Sequence, residues 1–258
     1  MRLKALLLRI FLLLLLLVLP YNTSGGRKRK PSYPHLRYGI PAKADLVLLR
    51  PGFALGYSHK RRQAIWVSYQ LTAEQLKKRR VRRMNSFMAD PAISMAPVQP
   101  EEYRATGFDR GHLVPAADMA HDQLPMRHSF FMSNISPQLP GCNRGVWKRI
   151  ETMTRKIAAK EQTILVICGP LFPESPQMML NTDIPIPSGF FKVILDLTPP
   201  MKMIGFIVPN RSARNHLKSF VVTVDQVEEI TGMDFFSRLH NNIEKPLESR
   251  RSDLSEWQ

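Results

Sequence analysis

Two stretches of this chain combine residue types and spacing suited to chemistry. One is Asp109-Arg110-Gly111-His112, and the other runs from Asn143, 31 positions past the histidine, to Glu151. Hydrolysis of a phosphodiester needs a base for water, positive charge around the pentacoordinate phosphorus and neutralisation of the departing oxygen. His112 has the intrinsic pKa for the first task, and the glycine before it admits close approach of backbone or ligand. Asn143 offers a neutral amide oxygen. One such oxygen plus waters suits Mg2+, with Mn2+ as a substitute, because Mg2+ gives up its waters reluctantly. Glu151 lies two helical turns further on and suits holding metal-bound water. Each residue also has a plain structural reading: a histidine that packs, an asparagine that caps a helix, and a glutamate in an i,i+4 pair with Arg155 worth ~0.2–0.5 kcal/mol.

The charge of the chain points the same way. Its 37 Lys and Arg against 21 Asp and Glu leave +16 over 258 residues. Such an excess speaks about partners rather than fold, and polyanions such as DNA, RNA or an anionic membrane are the natural ones. The run Lys77-Lys78-Arg79-Arg80-Val81-Arg82-Arg83 fits a surface that tracks a phosphate backbone, with Lys77, Lys78, Arg82 and Arg83 as contacts. The bland alternative is a solvated helix face.

Elements that could position these residues follow from periodicity. Leu46–Leu49, Ala64–Leu71, Thr163–Cys168, Phe190–Leu197 and Met203–Val208 read as strands, the last three buried in a sheet by their unbroken Ile, Val and Leu content. Ala73–Arg83 is helix-permissive, and Arg127–Met132 reads as a short helix. Ser133–Cys142, with Pro137, Pro140 and Gly141, is expected to be irregular. A helix is expected from Asn143 to about Lys160, with Val146, Trp147, Ile150, Met153 and Ile157 on one face and Asn143 as its N-cap. Another helix starts near Asp225 and stops at Gly232. Strands and helices mix without a regular βαβ alternation, which predicts an α+β fold.

The N-terminus divides from this domain. Arg2, Lys4 and Arg9 precede and punctuate an apolar run ending at Leu19 and Pro20, so residues 1–25 read as a secretory signal or an N-terminal anchor. Secretion or a periplasmic location is the first expectation. Membrane attachment through residues 3–19 and a mitochondrial presequence are the alternatives. Loss of residues 1–25 would take those three basic residues and leave +13, so the basic character belongs to the domain. Residues 26–43 read as a basic, Pro-rich linker, 44–240 as the main domain and 241–258 as a polar tail that frays. Cys142 and Cys168 are expected as buried free thiols, with pairing in an oxidising compartment as the alternative.

The motifs resemble the DNA/RNA non-specific endonucleases of the ββα-metal, or His-Me finger, class. The D-R-G-H signature is Asp109-Arg110-Gly111-His112. The second block is Ser133-Asn134-Ile135-Ser136-Pro137-Gln138 followed by Asn143 to Glu151. Gly169-Pro170-Leu171, Phe190-Phe191-Lys192-Val193, Val208-Pro209-Asn210 and Thr231 to Phe236 extend the likeness over about residues 44–240. The resemblance implies a ββα-metal fold with a central, mostly antiparallel sheet flanked by helices. It implies Mg2+-dependent cleavage of DNA and RNA through phosphate contacts, leaving 5′-phosphate ends, and a homodimer as in many relatives. It makes His112 the general base, Asn143 the direct metal ligand and Glu151 the holder of metal-bound water. Asn134 would position the base, and Arg155 and Arg83 would contact phosphate or leaving group. Arg110 would lie near the substrate backbone or brace the loop, Arg144 would add a phosphate contact or stay solvated, and Asp109 would be a structural partner. A non-catalytic nucleic-acid binder and a hydrolase of other phosphodiesters are the competing functions.

Overall fold

The computed structural model describes residues 33–78 and 81–257. The leader, the arm up to residue 32, and Arg79 and Arg80 of the basic run lie outside the described residues. In chain order the elements are β1 (Leu46–Arg50), β2 (Phe53–Ser58), β3 (Gln63–Thr72), α1 (Ala73–Lys77), β4 (Asp109–His112), α2 (Gln123–Ser129) and β5 (Ile135–Gln138). A π-helical turn (Cys142–Trp147) leads into α3 (Lys148–Glu161). Then come β6 (Thr163–Leu171), β7 (Gly189–Asp196), β8 (Lys202–Pro209), β9 (Val221–Val222), α4 (Val224–Thr231), α5 (Asn241–Ser249) and a closing 3-10 turn (Leu254–Trp257).

Seven strands form one sheet in the order β1-β2-β3-β6-β7-β8-β9, and every pairing in it is antiparallel. Its central strands are apolar on both faces because both faces are covered. Ile164, Val166 and Cys168 of β6 join one core cluster, while Leu165 and Ile167 join the other. The first cluster takes in Val146, Trp147, Ile150 and Ile157, so α3 covers this face. The second takes in Val224, Val227 and Phe235, so α4 covers the opposite face. The fold is thus α+β, with helices flanking an antiparallel sheet.

Several segments depart from the sequence-based expectation. Four residues of the supposedly irregular 133–142 form β5, which pairs only with β4. Pro137 faces Arg110 there, and a two-stranded ribbon tolerates a residue without an N–H because no further strand needs one. Helix α1 ends at Lys77, so Arg82 and Arg83 are not helical. Helix α2 lies upstream of the expected 127–132, because Asp122 caps it through the Leu124 N–H at 2.8 Å. The segment expected as linker packs down: Leu36, Tyr38 and Ala42 lie against the second core, and Trp66 Nε1 donates to the Ala42 carbonyl. The compact unit therefore starts at Tyr33 rather than 44. The polar tail does not fray, since it forms α5 and buries Trp257 to 1% exposure in the first core. Cys142 and Cys168 are buried free thiols. No helix of the described residues is long and apolar enough to cross a membrane.

Candidate active site

The β4–β5 ribbon and the helix after it frame the site. Gly111 sits opposite Ser136, and a Cβ there would meet the Gln138 side chain at 2.3 Å, so this position accepts no side chain. His112 ends β4. Its carbonyl accepts from Trp147 Nε1 at 3.3 Å, which ties the strand to the start of α3. The next two residues are pinned by Asn134: Leu113 N–H donates to the Asn134 carbonyl, and Val114 N–H donates to Asn134 Oδ1, both at 3.0 Å. Cys168 Sγ also donates to the Leu113 carbonyl.

The imidazole of His112 is boxed by Phe87 and Phe130, with ring centroids at 5.3 and 4.9 Å. It is 8% exposed, and its Nε2 is sealed from solvent without a hydrogen-bond partner among the described residues. Burial, reinforced by the Arg83 cation, pulls its pKa down to about 3, so the ring is neutral at pH 7. The same two aromatic rings carry arginines. The Arg110 guanidinium lies 4.4 Å from the Phe87 centroid and that of Arg83 lies 5.6 Å from Phe130, close enough for cation–π attraction. Both arginines are exposed.

Asn143 does not cap a helix. It lies in the π-helical turn, where Gly145 breaks the helical backbone before α3 begins, and π-helical irregularities of this kind recur at functional sites. Its Nδ2 donates to Asp109 Oδ2 at 2.9 Å. A carboxylate only accepts, so this contact fixes which way the amide points and leaves Oδ1 as its acceptor end. Asp109 also receives the fork of Arg144 at 2.8 and 2.6 Å. Burial opposes the charge of Asp109, but the hydrogen bonds from Arg144 and Asn143 outweigh it and hold the carboxyl below the usual range. Arg144, left open in the sequence between a phosphate contact and a solvated side chain, is exposed but bound to Asp109.

Glu151 is partly buried on α3 and forms no hydrogen bond or ion pair among the described residues. Burial lifts its carboxyl to about 7, against the cations of Lys192, Arg155 and Arg83 and with help from the Asp118 carboxylate. Arg155 does not pair with Glu151. Its Nη1 donates to Asp118 Oδ1 at 2.9 Å, and Tyr69 Oη donates to Asp118 Oδ2 at 3.2 Å. Lys192, fully buried on β7, lies with Nζ 4.6 Å from the Trp147 ring centroid and has no hydrogen-bond partner among the described residues. A partly buried, unpaired carboxylate and an amide oxygen oriented by a neighbour form an all-oxygen donor set that fits a hard divalent cation with retained waters.

Asn134 reaches no reacting position. Its amide is fully buried and is consumed by backbone, with Nδ2 donating to Val114 O at 3.0 Å and Ser129 O at 2.9 Å. It is a positioning residue for the segment after His112. Asn134→Ala would leave several buried backbone groups unpaired at ~1–3 kcal/mol each. The expected loss is about 3–5 kcal/mol, read from the shift of the urea unfolding midpoint at unchanged slope. A loss under 1 kcal/mol would contradict this role. Lys77 is exposed, and Lys78 pairs with Glu74 on the surface of α1. Residues the sequence reading left without a role are Phe87, Phe130, Tyr69, Asp118 and Lys192. Only Lys192 carries a local signal, as a charge between Phe190 and Ile194 on the apolar side of a strand.

A cavity of about 770 Å3 along the start of α3 is rimmed by Arg144, Lys148, Arg149 and Lys156 over Met153 and Leu217. It does not enclose His112. The cationic rim of this cavity suits an anion.

The family model described as DNA/RNA non-specific endonuclease matches residues 32–242. Nuclease C1 of Cunninghamella echinulata var. echinulata is 32% identical over 221 residues, 79% of this chain and 88% of that protein. Human mitochondrial endonuclease G is 30% identical over 214 residues, 77% of this chain and 72% of that protein. A chain in the crystal structure of the EndoG/EndoGI complex matches with a TM-score of 0.76 at 26% identity, covering 82% of this chain and 94% of that one. The fold is thus shared with a solved endonuclease structure, and this chain belongs to the DNA/RNA non-specific endonuclease family, hydrolases of phosphodiester bonds.

Proposed function

We propose that this protein is a Mg2+-dependent endonuclease that cleaves DNA and RNA with little sequence preference, with His112 as general base and 5′-phosphate products. The observation that carries the reading is one ββα unit that supplies a neutral, desolvated imidazole, an amide oriented by Asp109 and a partly buried Glu151 unpaired among the described residues. His112 takes the proton of the attacking water on its unprotonated ring nitrogen. Arg83, Arg110 and Arg155 supply positive charge to the phosphate, with Arg155 held in place by Asp118. Asn143 and Glu151 would hold the cation, which when bound stabilises negative charge on the phosphate and leaving oxygens. Lys148 and Lys156 extend the cationic surface along α3. Contacts of this kind go to phosphates, which are alike in every sequence, so activity should fall steeply with salt.

The test is the chemistry of the ends. Fragments from a circular substrate should be labelled by polynucleotide kinase only after phosphatase treatment. Direct labelling would show 5′-hydroxyl ends and overturn the proposed direction of bond breaking. The name of the human relative supports a mitochondrial destination for the leader, and a secreted form and a homodimer stay part of the proposal.

The pH profile follows from the two shifted groups. His112, at about 3, is neutral across the working range. Glu151, raised from 4.5 to about 7, is not. Cleavage at limiting Mg2+ should therefore rise with pH through about 7, and the midpoint should move down as Mg2+ competes with the proton. Stability runs the other way. Below pH 4.5 Glu151 is neutral folded or unfolded; between 4.5 and about 7 only the unfolded chain sheds the proton, so its contribution falls as pH rises. Rate profiles at several Mg2+ concentrations check this, and an acid limb that ignores the metal would contradict it.

A further inference from the structure

Far along the sequence from these motifs, α4 and α5 gather acids in a chain of net charge +16. Asp225 and Glu228 stand one turn apart on α4, and Glu248 lies in the last turn of α5. One carboxylate oxygen from each lies within 4.8 Å of the others. Glu248 is 7% exposed, and its Oε1 is sealed from solvent with no hydrogen-bond partner among the described residues. Glu228 Oε1 accepts from the Phe235 N–H at 2.7 Å. The other charged groups acting on Glu228 and Glu248 are the carboxylates of Asp234 and Glu244, and none of these five acids forms an ion pair among the described residues. A buried carboxylate without a counter-charge is costly, and the C-terminal end of α5 adds the negative pole of its helix beside Glu248.

We propose that Asp225, Glu228 and Glu248 form a site for a hard divalent cation of the calcium class, separate from the catalytic centre, that ties α5 to α4. All three donors are oxygens, with no histidine or cysteine, which selects against zinc and other softer ions. Oxygens within 4.8 Å of one another can share one cation of the calcium class, whose flexible coordination by carboxylates at ~2.3–2.6 Å asks less of the site's geometry than the strict octahedron of Mg2+. Bridging the two helices would hold down the C-terminal segment that carries Leu247 into the second core and Trp257 into the first.

The test is thermal unfolding of the full chain, stripped of metal by chelator and then titrated with CaCl2 or MgCl2, each variant compared with itself. Calcium should raise the midpoint on the order of 5 °C at a hundredfold over its Kd, with a smaller response to magnesium. The shift should persist in Asn143→Ala and vanish in Glu248→Gln, while Glu248→Gln cleaves nucleic acid at the wild-type rate. Asp225→Asn, at an exposed position, provides the same loss if Glu248→Gln folds poorly. No calcium response in the wild type, a response kept in both carboxylate variants, or one lost in Asn143→Ala would overturn the proposal.

Discussion

His112→Ala is expected to lower the rate of phosphodiester cleavage by ~10²–10⁴-fold, the usual contribution of a positioned general base. The fold constrains this ring from several sides. Its backbone is fixed on one side by Trp147 and on the next residues by Asn134, and its faces meet Phe87 and Phe130. Burial and the Arg83 cation keep it in the base form. The substitution removes ring contacts but also an unpartnered buried nitrogen, so these terms oppose one another and the net stability cost should stay below about 2 kcal/mol. Binding to a DNA duplex, measured by fluorescence anisotropy, should change little because Arg83, Arg110 and the α3 lysines are untouched. A variant that binds and cuts at near the wild-type rate would remove His112 from the mechanism.

Lys192→Met should separate stability from activity. Lys192 takes a position on β7 that alternation assigns to the core, between Phe190 and Ile194, and its ammonium lies on Trp147 without a hydrogen bond among the described residues. A buried charge so placed is costly, and a volume-matched apolar side chain is often neutral or stabilising by ~1–4 kcal/mol. The midpoint of thermal unfolding should hold or rise. Activity should fall, because Lys192 is the largest of the cationic influences holding Glu151 down against burial. Without it the Glu151 carboxyl titrates higher still. Cleavage at pH 7 should drop by about tenfold, a shift of one pKa unit being worth ~1.4 kcal/mol, and recover at higher pH or higher Mg2+. A loss of stability with an unmoved pH profile would make Lys192 a structural residue only.

Much of the scaffold is legible in the chain because some of its signals are local. Strands β6, β7 and β8 announce themselves by apolar residues on both alternating sets of positions, the mark of two covered faces, and the capping box of Thr223 with Gln226 and the left-handed Gly232 bracket α4. Where the signal is not local, reading fails. Pro137 argues against a strand, and only the knowledge that β5 has a single partner makes it acceptable. The apolar spacing from Val146 to Ile157 is the same whether the first turn is α or π, so the break at Gly145 is invisible. The C-terminus looks polar because a few scattered residues, Leu247, Leu254 and Trp257, do its packing.

The site divides in the same way. His112, Asn143 and Glu151 stand in compact motifs, and the structure assembles those motifs on one ribbon and one helix. The groups that set their protonation do not. Phe87, Phe130, Asp118 and Lys192 come from four other segments, and each gains its meaning from a contact across the sequence: a ring against the imidazole, a carboxylate under Arg155, an ammonium on Trp147. Long-range contacts of this kind leave no periodicity to read.

The most direct measurement of the central claim is digestion of plasmid DNA and of RNA by the purified protein, with Mg2+ and with EDTA, beside Asn143→Ala. Cutting of both polymers with Mg2+, abolished by EDTA and strongly reduced in the variant at low but not at saturating Mg2+, is the predicted result. Cutting that survives EDTA, or a folded protein that binds both polymers and cuts neither, would contradict it.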